Sequence, residues 1–173
     1  MFNFRKSHSG DDSAVPATRS DQKRQSYRAS IEFPIVYIVD GREGTRSASA
    51  NDLSVGGLRL LGDEDFTKET IIDFRFTLPT AEVANVFIEK QVTERGAFGD
   101  RTKRIKLPPT PFEPLDIAGK IVIAFYNLSA RRFAHGVRFL HLPQRTEDEI
   151  QRFIHLYQLK QLRERAERET IAD

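Results

Sequence analysis

Residues 71–78 read IIDFRFTL, with Ile72, Phe74, Phe76 and Leu78 alternating against Asp73, Arg75 and Thr77. A two-residue repeat sends the apolar set to one side of an extended chain and the polar set to the other. That is the pattern of a half-buried β-strand, and a 3.6-residue helical repeat cannot produce it. Upstream, SIEFPIVYIVD at residues 30–40 places Ile31, Phe33, Ile35, Tyr37 and Val39 on one side of a second strand. Pro34 assigns that strand an edge position or a bulge, because proline cannot donate to a sheet ladder.

Between these two strands, Asp40 to Gly44 reads as a turn and Thr45 to Ala50 as a short polar strand. Asn51 to Gly57 is expected as a polar loop closed by glycine, leading into the apolar run Leu58 to Leu61 with Arg59 inserted. Downstream, Val86 to Val92, Ile117 to Tyr126 and Phe133 to Leu142 read as strands, the last two separated by a turn at Asn127 to Arg132. The segment LPPTPFEP at residues 107–114 excludes both helix and central strand and is expected as a polyproline-II-like crossing or a long surface loop.

After Pro143 the period changes. Thr146 and Glu149 fit a capping box, and Ile150, Phe153, Ile154 and Tyr157 recur at helical spacing before Leu159 and Leu162. From Arg163 the run RERAERE loses the apolar stripe, so residues 163–173 are expected as a charged tail of the helix, facing solvent or a partner. Short strands followed by one terminal helix, without βαβ alternation, predict a mainly β fold: a small closed or nearly closed antiparallel barrel.

Composition narrows the function classes. The 173 residues are 39% hydrophobic and 30% charged, enough for one proper core but cramped for two. A net charge of +2 makes no global case for coating nucleic acid or lipid, so any anion site has to be local. The absence of cysteine removes disulfides, thiolate nucleophiles and sulfur-ligated metals, and is compatible with an expected cytoplasmic location. Residues 1–22, rich in Ser, Asp, Gly and Pro, lack a signal-peptide core and are expected as a disordered leader to a domain spanning residues 23–162.

Two constellations carry chemistry. Arg24 and Arg28 stand four residues apart ahead of the first strand, with Lys23 beside them. A guanidinium fork can grip a phosphate through two parallel charge-assisted bonds or meet guanine O6 and N7 edge-on. The second is DLSVGG at residues 52–57. Asp52 can accept from guanine N1–H and its exocyclic amine, Ser54 can donate or accept, and Gly56 and Gly57 permit close approach. The same residues also suit an Asx or ST turn closing a hairpin.

Together these elements resemble the signature of the PilZ family: RxxxR at Arg24 and Arg28, then D/N-x-S-x-x-G at Asp52, Ser54 and Gly57. HGVRF at residues 135–139 and the terminal helix extend the likeness over roughly residues 22–160. The resemblance implies a six-stranded antiparallel barrel that receives cyclic di-GMP. It also implies that Arg24 and Arg28 contact phosphate and guanine while Asp52, Ser54 and Gly57 hold a guanine edge. A basic residue immediately before RxxxR, here Lys23, accompanies two intercalated ligand molecules per chain in such domains. The implied output is regulation of a partner protein in trans, in motility, exopolysaccharide or biofilm control, without catalysis, cofactor, DNA or membrane insertion.

Other classes are weaker. His8, His135, His141 and His155 form no close ligand grouping, and Ser54 lacks a Gly-x-Ser-x-Gly elbow, so an enzyme has no evident machinery. A single-stranded nucleic-acid binder would need its aromatics on the surface, whereas the strongest Phe run alternates toward one inner face. A nucleotide-independent PilZ-like adaptor would not require both motifs.

Overall fold

The structure, a computed structural model, describes residues 27–96 and 99–172. Its strands are β1 (Phe33–Val39), β2 (Arg46–Ser54), β3 (Gly57–Gly62), β4 (Ile71–Thr77), β5 (Ile88–Gly96), β6 (Gly99–Leu107), β7 (Pro114–Asn127) and β8 (Arg132–Leu140). A short 3₁₀ turn, Thr80–Val83, follows β4, and helix α1 (Gln144–Ala172) follows β8.

Six strands close into an antiparallel barrel in the order β1-β2-β3-β8-β7-β4. The expected alternation closes it: Phe33, Ile35, Tyr37 and Val39 of β1 and Ile72, Phe74 and Phe76 of β4 point inward with Leu60, Ile117, Ile121 and Val137. Tyr37 meets Phe66 edge-on, and Phe33 lies against Phe76 at 5.4 Å. Pro34 pairs with Ser49 of β2 without a bulge, while β4 registers with β1 only from Val36 onward. The proline thus sits where β1 has a partner strand on one side only, a local edge of the closed barrel.

The proline-rich segment is an ordered crossing that serves α1. Phe112 is buried and meets Phe153 edge-on, while the Arg152 guanidinium lies 4.2 Å over the Phe112 ring and donates to the Thr110 carbonyl. Ile150, Phe153, Ile154 and Leu156 seal α1 against this layer, the 3₁₀ turn and β2. Beyond Leu162 the helix runs on as a mostly exposed charged tail.

Three expectations are corrected. The helix starts at Gln144, with Glu147 N–H donating to the Pro143 carbonyl, so Thr146 lies inside it and forms no capping box. The strand expected at Val86–Val92 begins at Ile88 and leaves the barrel, pairing with β6 as a separate hairpin. Strand β6 escapes sequence reading because charges interrupt its alternation, and cross-strand pairs such as Lys103 with Glu94 at 2.8 Å hold it instead. The loop expected over residues 51–57 is shorter, because β2 continues to Ser54. The leader, Lys23 and Arg24 lie outside the described residues.

Candidate functional site

The incoming chain clips onto the end of β2. Ala29 N–H donates to the Leu53 carbonyl at 2.8 Å, and Leu53 N–H returns a bond to the Ala29 carbonyl at 3.0 Å. Leu53 thereby pairs with the entry segment, and the β2–β3 register shifts between Asn51 and Ser54. Asp52, within this bulge, takes a left-handed backbone at φ +52°, a conformation aspartate tolerates better than most residues. The bulge aims its carboxylate at two donors, Arg59 of β3 at 2.8 Å and the Ser30 hydroxyl at 3.0 Å.

The turn joining β2 to β3 is tight. Ser54 is buried and its hydroxyl donates to the Gly57 carbonyl at 3.0 Å, which leaves that oxygen only acceptor capacity for a ligand. Phe139 N–H donates to the Gly56 carbonyl, tying the turn to β8. A β-carbon at Gly57 would run into the Val137 carbonyl, whereas one at Gly56 would meet open space. Gly57 is therefore required by the barrel itself, and Gly56 is the position free to face a ligand.

Across β3, β8 and β7 the outer surface continues in register, with Arg59 opposite Gly136 and Gly136 opposite Ile123. A second bulge, between Ile121 and Ile123, widens this place, and a side chain at Gly136 would collide with Ile123. The result is a cavity of about 420 Å³ lined by Arg28, Asp52, Ser54, Gly56, Gly57, Arg59, Ile123, Phe125 and Arg138. Arg28, Arg59 and Arg138 supply cationic forks, Asp52 an acceptor, and the half-exposed Ile123 and Phe125 an apolar shelf. Such a surface can hold a flat heterocycle against apolar groups while gripping attached anions.

A protein-family model, the PilZ domain, matches residues 22–156. The chain belongs to the PilZ domain family. No curated protein matches the sequence significantly. Among solved structures, this PilZ domain resembles the Bacillus subtilis inhibitor of motility MotI/DgrA at 11% identity and TM-score 0.53, covering 80% of this chain and 53% of that one. The chain thus spans about half the length of that protein. The PilZ domain of CeSA from a cellulose-synthesizing bacterium aligns at 13% identity and TM-score 0.45, over 75% of this chain and 96% of that one. The PilZ domain of YcgR from Escherichia coli, solved with c-di-GMP, aligns at 18% identity and TM-score 0.41, over 84% and 98%. At these identities the likeness is one of fold.

Of the seven site residues expected from the sequence of this PilZ domain, Arg28, Asp52, Ser54, Gly56 and Gly57 line the one cavity. Sequence reading missed Arg59, Arg138, Ile123 and Phe125. Only the even spacing from Arg59 back to Gly57 hinted that Arg59 would share a face with the turn; the β7 residues arrive purely through sheet register. His135 and His141 are not a ligand pair. His135 is wholly buried, its Nε2 accepting from Phe66 N–H at 3.0 Å, whereas His141 is exposed beyond β8. No helix among the described residues is long and apolar enough to cross a membrane.

Proposed function

We propose that this PilZ domain is a cytoplasmic, non-catalytic receptor for cyclic di-GMP that regulates a partner protein in motility, exopolysaccharide or biofilm control. The observation carrying this reading is the cavity that unites Arg28 with Asp52, Ser54 and Gly56, residues from two motifs more than twenty positions apart. Arg28, with Lys23 and Arg24 preceding it, would take phosphate and guanine. The Asp52 carboxylate would accept from a guanine edge in exchange for its present donors, and Ile123 with Phe125 would support the base. A dianionic ligand meets three arginines here, Arg28, Arg59 and Arg138, of which Arg59 is the one already paired with Asp52.

Output to a partner is supported by the link between the entry segment and α1, where the Tyr157 hydroxyl donates to the Ser30 carbonyl at 3.0 Å. Closing the segment over a ligand would act on Ser30 and, through it, on the helix that bears the exposed charged tail. Phe74 and Phe76, the clearest Phe alternation in the chain, lie in the core and offer no stacking surface to a nucleic-acid strand.

Calorimetric titration of the full chain with cyclic di-GMP, alongside GTP and cyclic GMP, tests the proposal. Saturable binding of the cyclic dinucleotide alone is expected. Silence at concentrations of about 10–100 μM, where a contact of this size would register, transfers the chain to the nucleotide-independent adaptors.

A further inference from the structure

The β5–β6 hairpin has the sequence of a half-buried sheet, yet among the described residues no other strand or helix packs on it. Its register sets Ile88 opposite Leu107, Lys90 opposite Ile105, Val92 opposite Lys103 and Glu94 opposite Arg101. Opposed residues share a face and neighbours along a strand do not, so these eight form one side of the ribbon. That side is apolar at the open end of the hairpin and mostly cationic toward its tip. The other side, with Glu89, Gln91, Thr93 and Arg95 against Asp100, Thr102, Arg104 and Lys106, is polar throughout.

Every residue of β6 is exposed, and Ile88, Ile105 and Leu107 stand 43%, 37% and 42% open to solvent. A lone two-stranded ribbon is marginal in water and gains independent stability only when a face is covered. An amphipathic face on such a ribbon marks a contact.

The complementary surface lies on the outside of β1, β4 and β7. There Val36 sits opposite Arg75, Ile38 opposite Asp73, and Asp73 opposite Ala118. Val36, Ile38 and Ile71 are 37%, 46% and 39% exposed, and a depression of about 420 Å³ runs between Val36, Ile38, Asp73 and Ala118. Arg75 is neutralised by Asp116 at 2.8 Å, while Asp73 makes no ion pair among the described residues. The patch is therefore apolar with one uncompensated anion. On the hairpin face Glu94 offsets Lys103, leaving Lys90 and Arg101 as uncompensated cations among the described residues.

We infer that the β5–β6 hairpin of one chain docks through Ile88, Val92, Ile105 and Leu107 onto the β1–β4–β7 outer face of a second copy, and that reciprocal docking closes a two-fold dimer. Two amphipathic sheet faces stack naturally at about 10 Å with their side chains interleaved. Each copy offers both the hairpin and its receiving face, and docking both at once, hairpin to face in each direction, is what closes the assembly at two; one-way docking would propagate instead.

Light scattering coupled to size-exclusion chromatography of the full chain, over a range of concentrations, reads this out directly. The wild type is expected to reach the dimer mass. Ile105→Asp and Ile38→Asp, at exposed positions on the two separate surfaces, should each raise the dimer dissociation constant by at least about tenfold. Replacing residues 88–107 by a short Gly-Ser turn should give a monomer with a wild-type circular dichroism melt. Asp73→Lys should weaken the dimer, and adding Lys90→Glu should restore it. A wild type that remains monomeric at its highest soluble concentration overturns the inference, whatever else the hairpin binds. So does a dimer that survives either aspartate substitution in a folded chain.

Discussion

The Asp52 carboxylate and the Arg59 guanidinium are ion-paired at 2.8 Å across the β2–β3 bulge, on the wall of the cavity both residues line. The other carboxylate oxygen accepts from Ser30 at 3.0 Å. A ligand that reads Asp52 must therefore trade with donors already in place, and a phosphate that attracts Arg59 would release the carboxylate for a base edge.

Asp52→Ala is expected to weaken cyclic di-GMP more than any residual binding of cyclic di-AMP. A carboxylate accepts from guanine N1–H and amine, whereas adenine presents an acceptor at N1. Titrating the variant with both dinucleotides checks this. A constant ratio of affinities would assign Asp52 to the bulge alone.

Arg28→Ala should lose at least about 2 kcal/mol of cyclic di-GMP binding while the barrel remains folded, because an exposed guanidinium supplies charge-assisted bonds and no core packing. Calorimetry and a thermal melt on the same sample separate the two effects. Unchanged affinity would remove the entry segment from the site.

The two adjacent glycines should behave differently. Gly57→Ala forces a β-carbon into the Val137 carbonyl and should cost about 1–3 kcal/mol of fold stability, the range for overpacking. Gly56→Ala meets open space at an unstrained φ and should melt like the wild type, so any loss of ligand affinity there reports on the site. Urea denaturation of both proteins provides the comparison.

Lys23→Leu tests ligand number. Two stacked dinucleotides bring four negative charges together, and a cation at residue 23 would offset their repulsion. At protein concentrations well above the dissociation constant the wild type should saturate near two ligands per chain and the variant near one, a ratio read from the calorimetric end point. Equal stoichiometries would separate Lys23 from ligand number.

Acid should destabilise the barrel through His135. Burial pushes its imidazole below the ordinary value, opposed more weakly by Asp65 at 3.7 Å. The Nε2 that accepts from Phe66 N–H can do so only while unprotonated. The unfolded chain takes up a proton near pH ~6.5 and the folded chain only at lower pH, so stability is full above that value. It declines as pH falls from there toward the lowered folded value, by at most about 1.4 kcal/mol per unit. Urea midpoints measured from pH 8 to pH 5 should show this slope, and His135→Gln, which keeps an acceptor without the titration, should flatten it.

Local pattern alone determined that β1 and β4 are strands, that a helix follows Pro143 and that the class is an antiparallel barrel, because alternation at Phe74 and Phe76 and helical spacing at Ile150 to Tyr157 are properties of neighbours along the chain. The same holds for the cluster from Asp52 to Gly57, whose residue types state their chemistry without reference to a partner. Tertiary structure alone decided that Arg59, Gly136, Ile123 and Phe125 complete the cavity, that Gly57 is held by the Val137 carbonyl, and that β5 and β6 leave the barrel. Those outcomes depend on register between strands up to about eighty residues apart and on pairing between charged strands. Neither leaves a periodic trace in the sequence, because each is settled by which backbone lies alongside.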